Sequence, residues 1–485
     1  MQALAEARRL HAPRHHALVV PWASLFWHGL AIMGWIGLLL VIAFDPPGGW
    51  AWLAAWFLLH DGLTQGLVCW LNRDLVRGRQ RRPAELIAQR SELRLAVIVA
   101  AHNEATVLPA TIAGLRGQSR KPDLIVIADD GSTDATECLL RHRFGLVPSG
   151  SGEVVGEASP NAADLRWMRL SHGGKASALN AAIATVEADI VLTVDADTWL
   201  EPGALQAVVS AFAQDDRLVA ATGVLTPVCV PTARGRLLQW FQQHEYLRNF
   251  MARRAWMNLG GLLLISGAFA AFRCGPLRDV GGFDPDCLVE DYEVIHRLRR
   301  VGAQRRLGWR TAVLGDAQAR TEAPAPAMAF LRQRRRWYAG FLQTQWWYRD
   351  MVGVRRYGPV GLRMLPIKAL DTVQPLIGVG GWWMLLWSLA RGRMSLVFVV
   401  ASCVGVKALF DLACQAWLWR GHRRWRGDVG SLSLGGTLLT AVIEPWTFQL
   451  LRLAGGVWGW VHFLTGRQRW DRPIRGGLSV GSHNA

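Results

Sequence analysis

Two stretches decide the fold: Leu95-Ala-Val-Ile-Val-Ala-Ala101 and, after a helical interval, Leu124-Ile-Val-Ile-Ala-Asp-Asp130. Both are rich in β-branched and small apolar residues, and neither carries a charge before its C-terminal end, as expected of strands buried on both faces. Further candidate strands follow at Leu165–Leu170, Ile190–Asp197, Leu218–Leu225 and Leu262–Phe272. Helical stretches separate them, which predicts an α/β domain with a mostly parallel sheet within residues 73–325. Ligands of such sheets bind beyond the carboxyl ends of the strands. Asp129-Asp130 and Asp195-Ala-Asp197 stand at two of those ends.

Outward from this domain the chain turns apolar. Ala17 to Phe44 is 28 residues without Asp, Glu, Lys or Arg, where about 20 span a bilayer. That run is too long for a cleaved signal peptide. Asp45-Pro-Pro-Gly-Gly49 reads as a turn, and Trp50–Leu71 as a second span interrupted only by His60 and Asp61. Residues 1–72 are therefore expected to form a transmembrane hairpin, with spans at about 17–44 and 50–71. Residues 145–164, rich in Gly, Ser and Pro, read as a surface loop. Residues 326–364 are expected as amphipathic interfacial helices and 365–466 as a C-terminal transmembrane region. Its spans fall at about 365–390, 394–419 and 432–464, the last being one tilted helix or two passes broken near Glu444-Pro445. Residues 467–485 form the tail.

The formal charge of +17 could suggest a nucleic-acid binder. Its distribution argues otherwise. Residues 73–94, 332–336, 420–426 and 467–475 together hold 19 Arg against 4 acids, so +15 lies at the borders of apolar or amphipathic stretches, while 95–331 sums to −2. Basic membrane flanks face the cytoplasm, which puts the α/β domain there and leaves no nucleic-acid partner expected. The 51% hydrophobic content excludes disorder. The 7 cysteines form no C-x-x-C pair, so neither a disulfide framework nor a zinc site is expected.

Five constellations could carry chemistry. Asp129-Asp130-Gly-Ser-Thr-Asp134 can accept hydrogen bonds from a nucleobase, or simply cap a strand-to-helix turn. Asp195-x-Asp197 can hold a hard divalent cation. Gly173-Gly174-Lys175 offers a compact ammonium to a phosphate. It is not a Walker A loop, since Arg169 and Ala176 stand where Gly and Ser or Thr are required. Glu290-Asp291 opens a helix, where acids suit the dipole and where one can act as general base. Gln333-Arg-Arg-Arg336-Trp337 puts an amide, a guanidinium and an indole on one helical face, for a diphosphate and a sugar ring, though an interfacial helix could carry the same stripe. A zincin motif is absent, because Arg248 follows His244-Glu245 where a second His is needed, and no G-x-S-x-G elbow or G-x-G-x-x-G element follows a candidate strand.

Taken in order with Ala101-His-Asn-Glu104, Gly174-Lys-Ala-Ser-Ala-Leu-Asn180 and Ser266-Gly-Ala-Phe269, these motifs make the chain resemble the membrane-integrated family 2 glycosyltransferases of the processive polysaccharide-synthase type. The likeness covers roughly residues 90–345 by sequence and the flanking spans by layout. Ile265–Arg273 and Thr321-Glu-Ala-Pro324 resemble poly-β-1,6-N-acetylglucosamine synthases, while chitin, hyaluronan and cellulose synthases are similar more distantly. The resemblance implies a GT-A-like domain inserted between transmembrane helices of a multi-pass cell-membrane protein, the bacterial inner membrane being the expected one. Asp130, with Asp129, would bind uracil near His102 and Glu104. Lys175 and Arg336 would face the diphosphate, and Asp195 and Asp197 would hold ribose and Mg²⁺ or Mn²⁺. Asp291, beside Glu290, would deprotonate the acceptor, and Gln333, Trp337, Ser266 and Gly267 would bind the acceptor end. The implied reaction is inverting transfer from a UDP-sugar, UDP-N-acetylglucosamine or UDP-glucose, to a growing β-linked glycan that the protein helps translocate. The lipid bilayer and accessory export or synthase subunits complete the implied partners. Val289 and Tyr292, flanking Glu290-Asp291, depart from the usual pattern of these relatives.

Asp61, Asp371, Lys407, Asp411 and Glu444 fall in or near apolar spans, where polar residues face a bundle interior or a watery path. Lys407 and Asp411 are spaced to pair. A glycan channel rich in the chain's 25 Trp stands against interfacial Trp belts. Two other functions compete with polymer synthesis. One is transfer of a single sugar to a lipid carrier, against which Gln333–Trp337 offers an acceptor platform. The other is a non-catalytic assembly subunit, against which the complete acidic set speaks.

Overall fold

The computed structural model describes residues 1–44, 49–78, 93–148, 164–427 and 432–466. Eight strands form one sheet: β1 (Leu95–Ala101), β2 (Leu124–Asp130), β3 (Leu165–Leu170), β4 (Ile190–Asp195), β5 (Thr198–Leu200), β6 (Leu218–Val228), β7 (Phe269–Arg273) and β8 (Arg310–Glu322), in the order β3-β2-β1-β4-β7-β6-β8-β5. Four neighbouring pairs are parallel (β3–β2, β2–β1, β1–β4 and β6–β8), and three are antiparallel (β4–β7, β7–β6 and β8–β5). The mostly parallel α/β reading therefore holds. In β1, six of the seven residues are buried, as an uninterrupted apolar run requires at the centre of a doubly covered sheet.

In chain order the α-helices are α1 (Gln2–His11), α2 (Trp22–Phe44), α3 (Gly49–Leu71), α4 (Arg73–Val76), α5 (Leu108–Arg116), α6 (Thr136–Phe144), α7 (Lys175–Thr185), α8 (Ala204–Gln214) and α9 (Ala233–Asn258). They continue with α10 (Cys274–Asp279), α11 (Glu290–Gln304), α12 (Ala327–Trp347), α13 (Leu365–Asp371), α14 (Gln374–Ala390), α15 (Met394–Arg426), α16 (Leu434–Ile443) and α17 (Phe448–Leu464). α7 is alanine-rich, a strong helix-forming composition. Its buried Ala178, Leu179, Ala182 and Ile183 place it close against β1 and β2.

Three strand expectations need correction. The run expected over Ile190–Asp197 leaves the sheet centre after Asp195, because Thr198 pairs with Thr321 of β8 and their hydroxyls meet at 2.9 Å. Of Leu262–Phe272, only Phe269 onward pairs as a strand; the Gly267 N–H is taken by the Asp291 carboxylate at 2.7 Å rather than by a neighbouring strand. β6 runs three residues beyond Leu225. β5 and β8 were not expected at all. β8 hides its alternation in a bulge, where Gly223 and Val224 of β6 face Leu314 and Gln318, leaving three residues of β8 unmatched.

The apolar flanks are helical. Among the described residues, Trp22–Phe44 and Val360–Ala390 are long and apolar enough to cross a membrane, by length and composition. The 432–464 stretch is broken at Glu444–Trp446, where Pro445 opens a short 3₁₀ turn between α16 and α17. α15 runs past Trp419 to Arg426. The expected Lys407–Asp411 pair forms at 2.5 Å, and Lys407 also reaches Asp61 of α3 at 2.6 Å. The flanks grip the domain at several points. Arg426 donates to Gln318 Oε1 at 2.8 Å, and Arg254 of α9 pairs with Asp74 at 2.6 Å. At the N-terminus, Arg8 donates to the carbonyls of Gly281 and Phe283 at 3.0 and 2.9 Å, and Arg14 pairs with Asp284 at 2.9 Å. Gly281 has φ +88°, and a Cβ there would overlap the α1 backbone at Leu4 and Arg8, so this docking demands glycine twice over. The Asp45–Gly48 turn, residues 79–92 of the first basic cluster, 149–163 of the surface loop and the tail 467–485 lie outside the described residues.

Candidate active site

The ends of β1, β2 and β4 open on one side, and α7 starts beside them. Asp130 closes β2, and its carboxylate accepts from the N–H of Gly173 at 2.7 Å and of Gly174 at 3.0 Å. His172 Nδ1 lies 2.9 Å from the same carboxylate, and His102 Nδ1 donates to the Asp130 carbonyl at 2.7 Å. The two imidazoles sit side by side, 4.6 Å between centroids. One ligand atom from each of His102, Asp130 and His172 falls within 4.8 Å of the others. His172 was missed in the sequence reading, although it directly precedes Gly173-Gly174-Lys175.

Asp129 has a different place. It is 1% exposed, accepts from Ser132 N at 2.9 Å and faces Trp167 Nε1 at 3.3 Å. Successive strand residues point to opposite faces. Asp129 therefore ties the strand-to-helix turn to the core, while Asp130 lines the cavity. This corrects the shared base-binding place expected for the two. Glu104 also lines the cavity, its N–H held by Thr136 Oγ1 at 3.1 Å.

Lys175, first residue of α7, follows Gly174, whose φ of +88° suits glycine. Its ammonium contacts Asp195 and lies 3.9 Å from Glu290. Burial works against this charge, but Asp195 and Glu290 outweigh it and hold the Lys175 pKa above its ordinary value. Asp195 and Asp197 bracket the turn out of β4 and both line the cavity.

Glu290 and Asp291 open α11. Burial raises the Glu290 pKa, with Lys175 and Arg336 pulling it back. The two Asp291 oxygens accept from Gly267 N at 2.7 Å and Tyr292 N at 2.9 Å. A Cβ on Gly267 would press to 3.0 Å from Asp291 Oδ2. Gly267 thus positions the carboxylate, where the sequence suggested an acceptor contact alone. The 281–287 loop that delivers this pair is clamped from both sides. Arg8 and Arg14 hold one side, while Asn180 of α7 exchanges two hydrogen bonds with the Phe283 backbone, at 2.7 and 2.8 Å, on the other.

From α12, Gln333, Arg336 and Trp337 reach the same cavity. Arg336 Nη1 donates to the Leu288 carbonyl at 3.2 Å, bracing the segment before Glu290. Arg334 stacks 4.4 Å over the Trp337 ring and pairs with Glu245 at 2.6 Å. Gln333 Oε1 is buried without a hydrogen-bond partner.

One cavity of about 840 Å³ collects His102, Glu104, Asp130, Lys175, Asp195, Asp197, Ser266, Gly267, Glu290, Asp291, Gln333, Arg336 and Trp337, and leaves out Asp129. Lys368 of α13 and His462 of α17 also line it. A face of α9 paves a further wall, which no reading of the sequence isolated. Chemically, the cavity offers cations and hard oxygen ligands at one end and an oriented carboxylate facing aromatic surface at the other.

Residues 93–340 match the family described as Glycosyltransferase like family 2. The chain is 27% identical over 208 residues to a poly-beta-1,6-N-acetyl-D-glucosamine synthase of Staphylococcus epidermidis. It is 28% identical over 208 residues to that of Staphylococcus aureus strain COL. Each match covers 42% of this chain and 45% of the relative, so the chain is matched over less than half the length of either. Among solved structures, a mannosyltransferase from Pyrobaculum calidifontis, in complex with GDP-Man and Mn²⁺, aligns with a TM-score of 0.52 at 20% identity, over 82% of this chain and 99% of that one. That likeness concerns the fold, which is GT-A-like.

Proposed function

This chain belongs to glycosyltransferase family 2, and we propose that it polymerises a β-linked polysaccharide from a UDP-sugar, UDP-N-acetylglucosamine or UDP-glucose, at the cytoplasmic face of a membrane that it spans several times. The observation that carries this reading is the cavity that joins the nucleotide-type residues at the strand ends to Asp291 and the α12 platform, with Lys368 and His462 of the C-terminal helices also in its lining. A polymer needs room beyond the reacting end. α1 and Arg14, docked on the catalytic domain, keep the N-terminus on that domain's side, in accord with the distribution of basic clusters.

In this mechanism Asp130 receives the base edge, its carboxylate fixed by the Gly173 and Gly174 N–H groups. Lys175 and Arg336 meet the diphosphate. Asp195 and Asp197 fit a divalent cation: both are hard oxygen ligands at one turn, and a cationic ammonium already rests on Asp195. They would hold a Mg²⁺ or Mn²⁺, which when bound would supply neutralisation of the charge on the departing nucleotide. Asp291, oriented through both oxygens, takes the proton of the acceptor hydroxyl. Attack from the face opposite the leaving group inverts an α-linked donor to a β-linked product. Gln333 and Trp337 hold the acceptor sugar, and Gly267 keeps Asp291 aimed. The growing glycan leaves along the helices, and export subunits can act downstream.

The test is purified protein in lipid, with Mg²⁺ or Mn²⁺ in turn and a panel of labelled nucleotide sugars. Polymer from one UDP-sugar is the expected product. A single sugar on a lipid carrier would overturn the polymerase reading.

A further inference from the structure

α9 carries two adjacent arginines with opposite circumstances. Arg254 is satisfied, donating to Asn72 at 3.0 Å and pairing with Asp74 at 2.6 Å. Arg253, turned about 100° from it around the helix, lines the cavity instead. Its Nε and Nη1 are buried without a hydrogen-bond partner, and it has no ion pair among the described residues. The Phe250 ring lies 4.4 Å from the guanidinium carbon, which fixes the plane of the group. Desolvation pushes its pKa down to about 10, only partly offset by Tyr246 and Asp291. Two guanidinium nitrogens buried in this state are costly unless a ligand completes them.

The surroundings say what kind of ligand. Tyr246, Asn249, Phe250, Arg253 and Trp256 recur at three- and four-residue spacing, one continuous face of α9, and all line the cavity. Across it stand Asp291 and the α12 platform. Arg253 can only donate hydrogen bonds, whereas the unpartnered Gln333 Oε1 can only accept. A sugar hydroxyl does both, and flat aromatic surfaces suit the apolar face of a pyranose. A phosphate would satisfy Arg253 but leave Gln333 Oε1 and the aromatic surface without a match.

We infer that the α9 face centred on Arg253 is a second wall of the acceptor pocket, binding an acceptor saccharide through its oxygens opposite Gln333 and Trp337. This rests on the polymerase reading but is tested by binding rather than by turnover. The probe is a β-linked N-acetylglucosamine pentasaccharide, titrated calorimetrically into lipid-embedded protein saturated with UDP, with a polyprenyl phosphate in a parallel arm. Arg253→Gln should weaken pentasaccharide binding roughly 10- to 100-fold, the loss expected for a charge-assisted hydrogen bond. UDP affinity should be unchanged, and Arg253→Lys should recover part of the loss. Unchanged saccharide binding in Arg253→Gln overturns the proposal. So does loss of UDP binding in both variants, which makes the residue structural, and so does Arg253-dependent capture of the polyprenyl phosphate with none of the saccharide. Failure to make polymer would count against the polymerase reading alone.

Discussion

The two ends of the cavity are built differently. At the end proposed for the nucleotide the polar groups already have partners: Asp130 holds two backbone N–H groups and His172, and Lys175 rests on Asp195. At the end proposed for the acceptor Asp291 is held just as firmly, but Gln333 Oε1 and the Arg253 Nε and Nη1 are buried and, among the described residues, unmatched. On the proposed reading, one end is preorganised for a ligand of fixed chemistry, while the other keeps open valences for a ligand that would move on after each transfer. Preorganised groups meet developing charge without reorganising. Loosely matched ones avoid trapping a product that has to advance.

Mutations can break or sharpen this contrast, and the largest effect should come at its hinge. Asp291→Asn should lower kcat by about 10²- to 10⁴-fold, the usual worth of a general base, with UDP affinity intact in a calorimetric titration. A parallel loss of UDP affinity would mean that the two ends are not separable. Lys175→Ala should act at the other end, weakening UDP binding by roughly 10- to 100-fold through loss of a charge-assisted contact. Gly267→Ala should lower kcat about tenfold while sparing both binding constants, since its Cβ crowds Asp291 and small misplacements at a reacting group are expensive.

Smaller effects test what supports the ends. Arg14→Ala leaves the fully buried Asp284 without its 2.9 Å partner and should cost about 1–3 kcal/mol of unfolding free energy. A drop in kcat larger than the drop in UDP affinity would show that the N-terminal clamp serves the Asp291 loop in particular. A pH dependence of stability tests the packing of α11. Burial pushes the pKa of His296 in α11 down to about 4 from 6.5, so the unfolded chain binds its proton first as pH falls. The stabilising contribution is complete above about pH 6.5 and is lost by about 1 kcal/mol per unit on the way down to pH 4. His296→Phe should flatten that slope in thermal unfolding.

The nucleotide end was legible in the sequence because its residues sit at strand termini, where composition changes abruptly from apolar to acidic. Even there, Asp129 and Asp130 part for a reason the strand itself supplies, since one of two neighbours must face the core. The acceptor end was half legible. Gln333, Arg336 and Trp337 announced themselves by helical spacing. The α9 face did not, because Arg and aromatic residues occur all round that helix and only the packing of Arg254 on Asp74 tells which side faces the cavity. β8 was invisible behind its bulge and its charged residues. The docking of α1 on Gly281 left no local signal, because it depends on a contact more than 270 residues away in sequence.

The most direct test of the account is the length distribution of product at very low donor consumption. Lipid-embedded protein is given the labelled UDP-sugar that it uses, and the reaction is stopped when about 1% is spent. A cavity that holds its acceptor between α9 and α12 through successive transfers predicts long chains already present at that point, with little short material. Product that begins as single additions and lengthens only in step with donor consumption would contradict it.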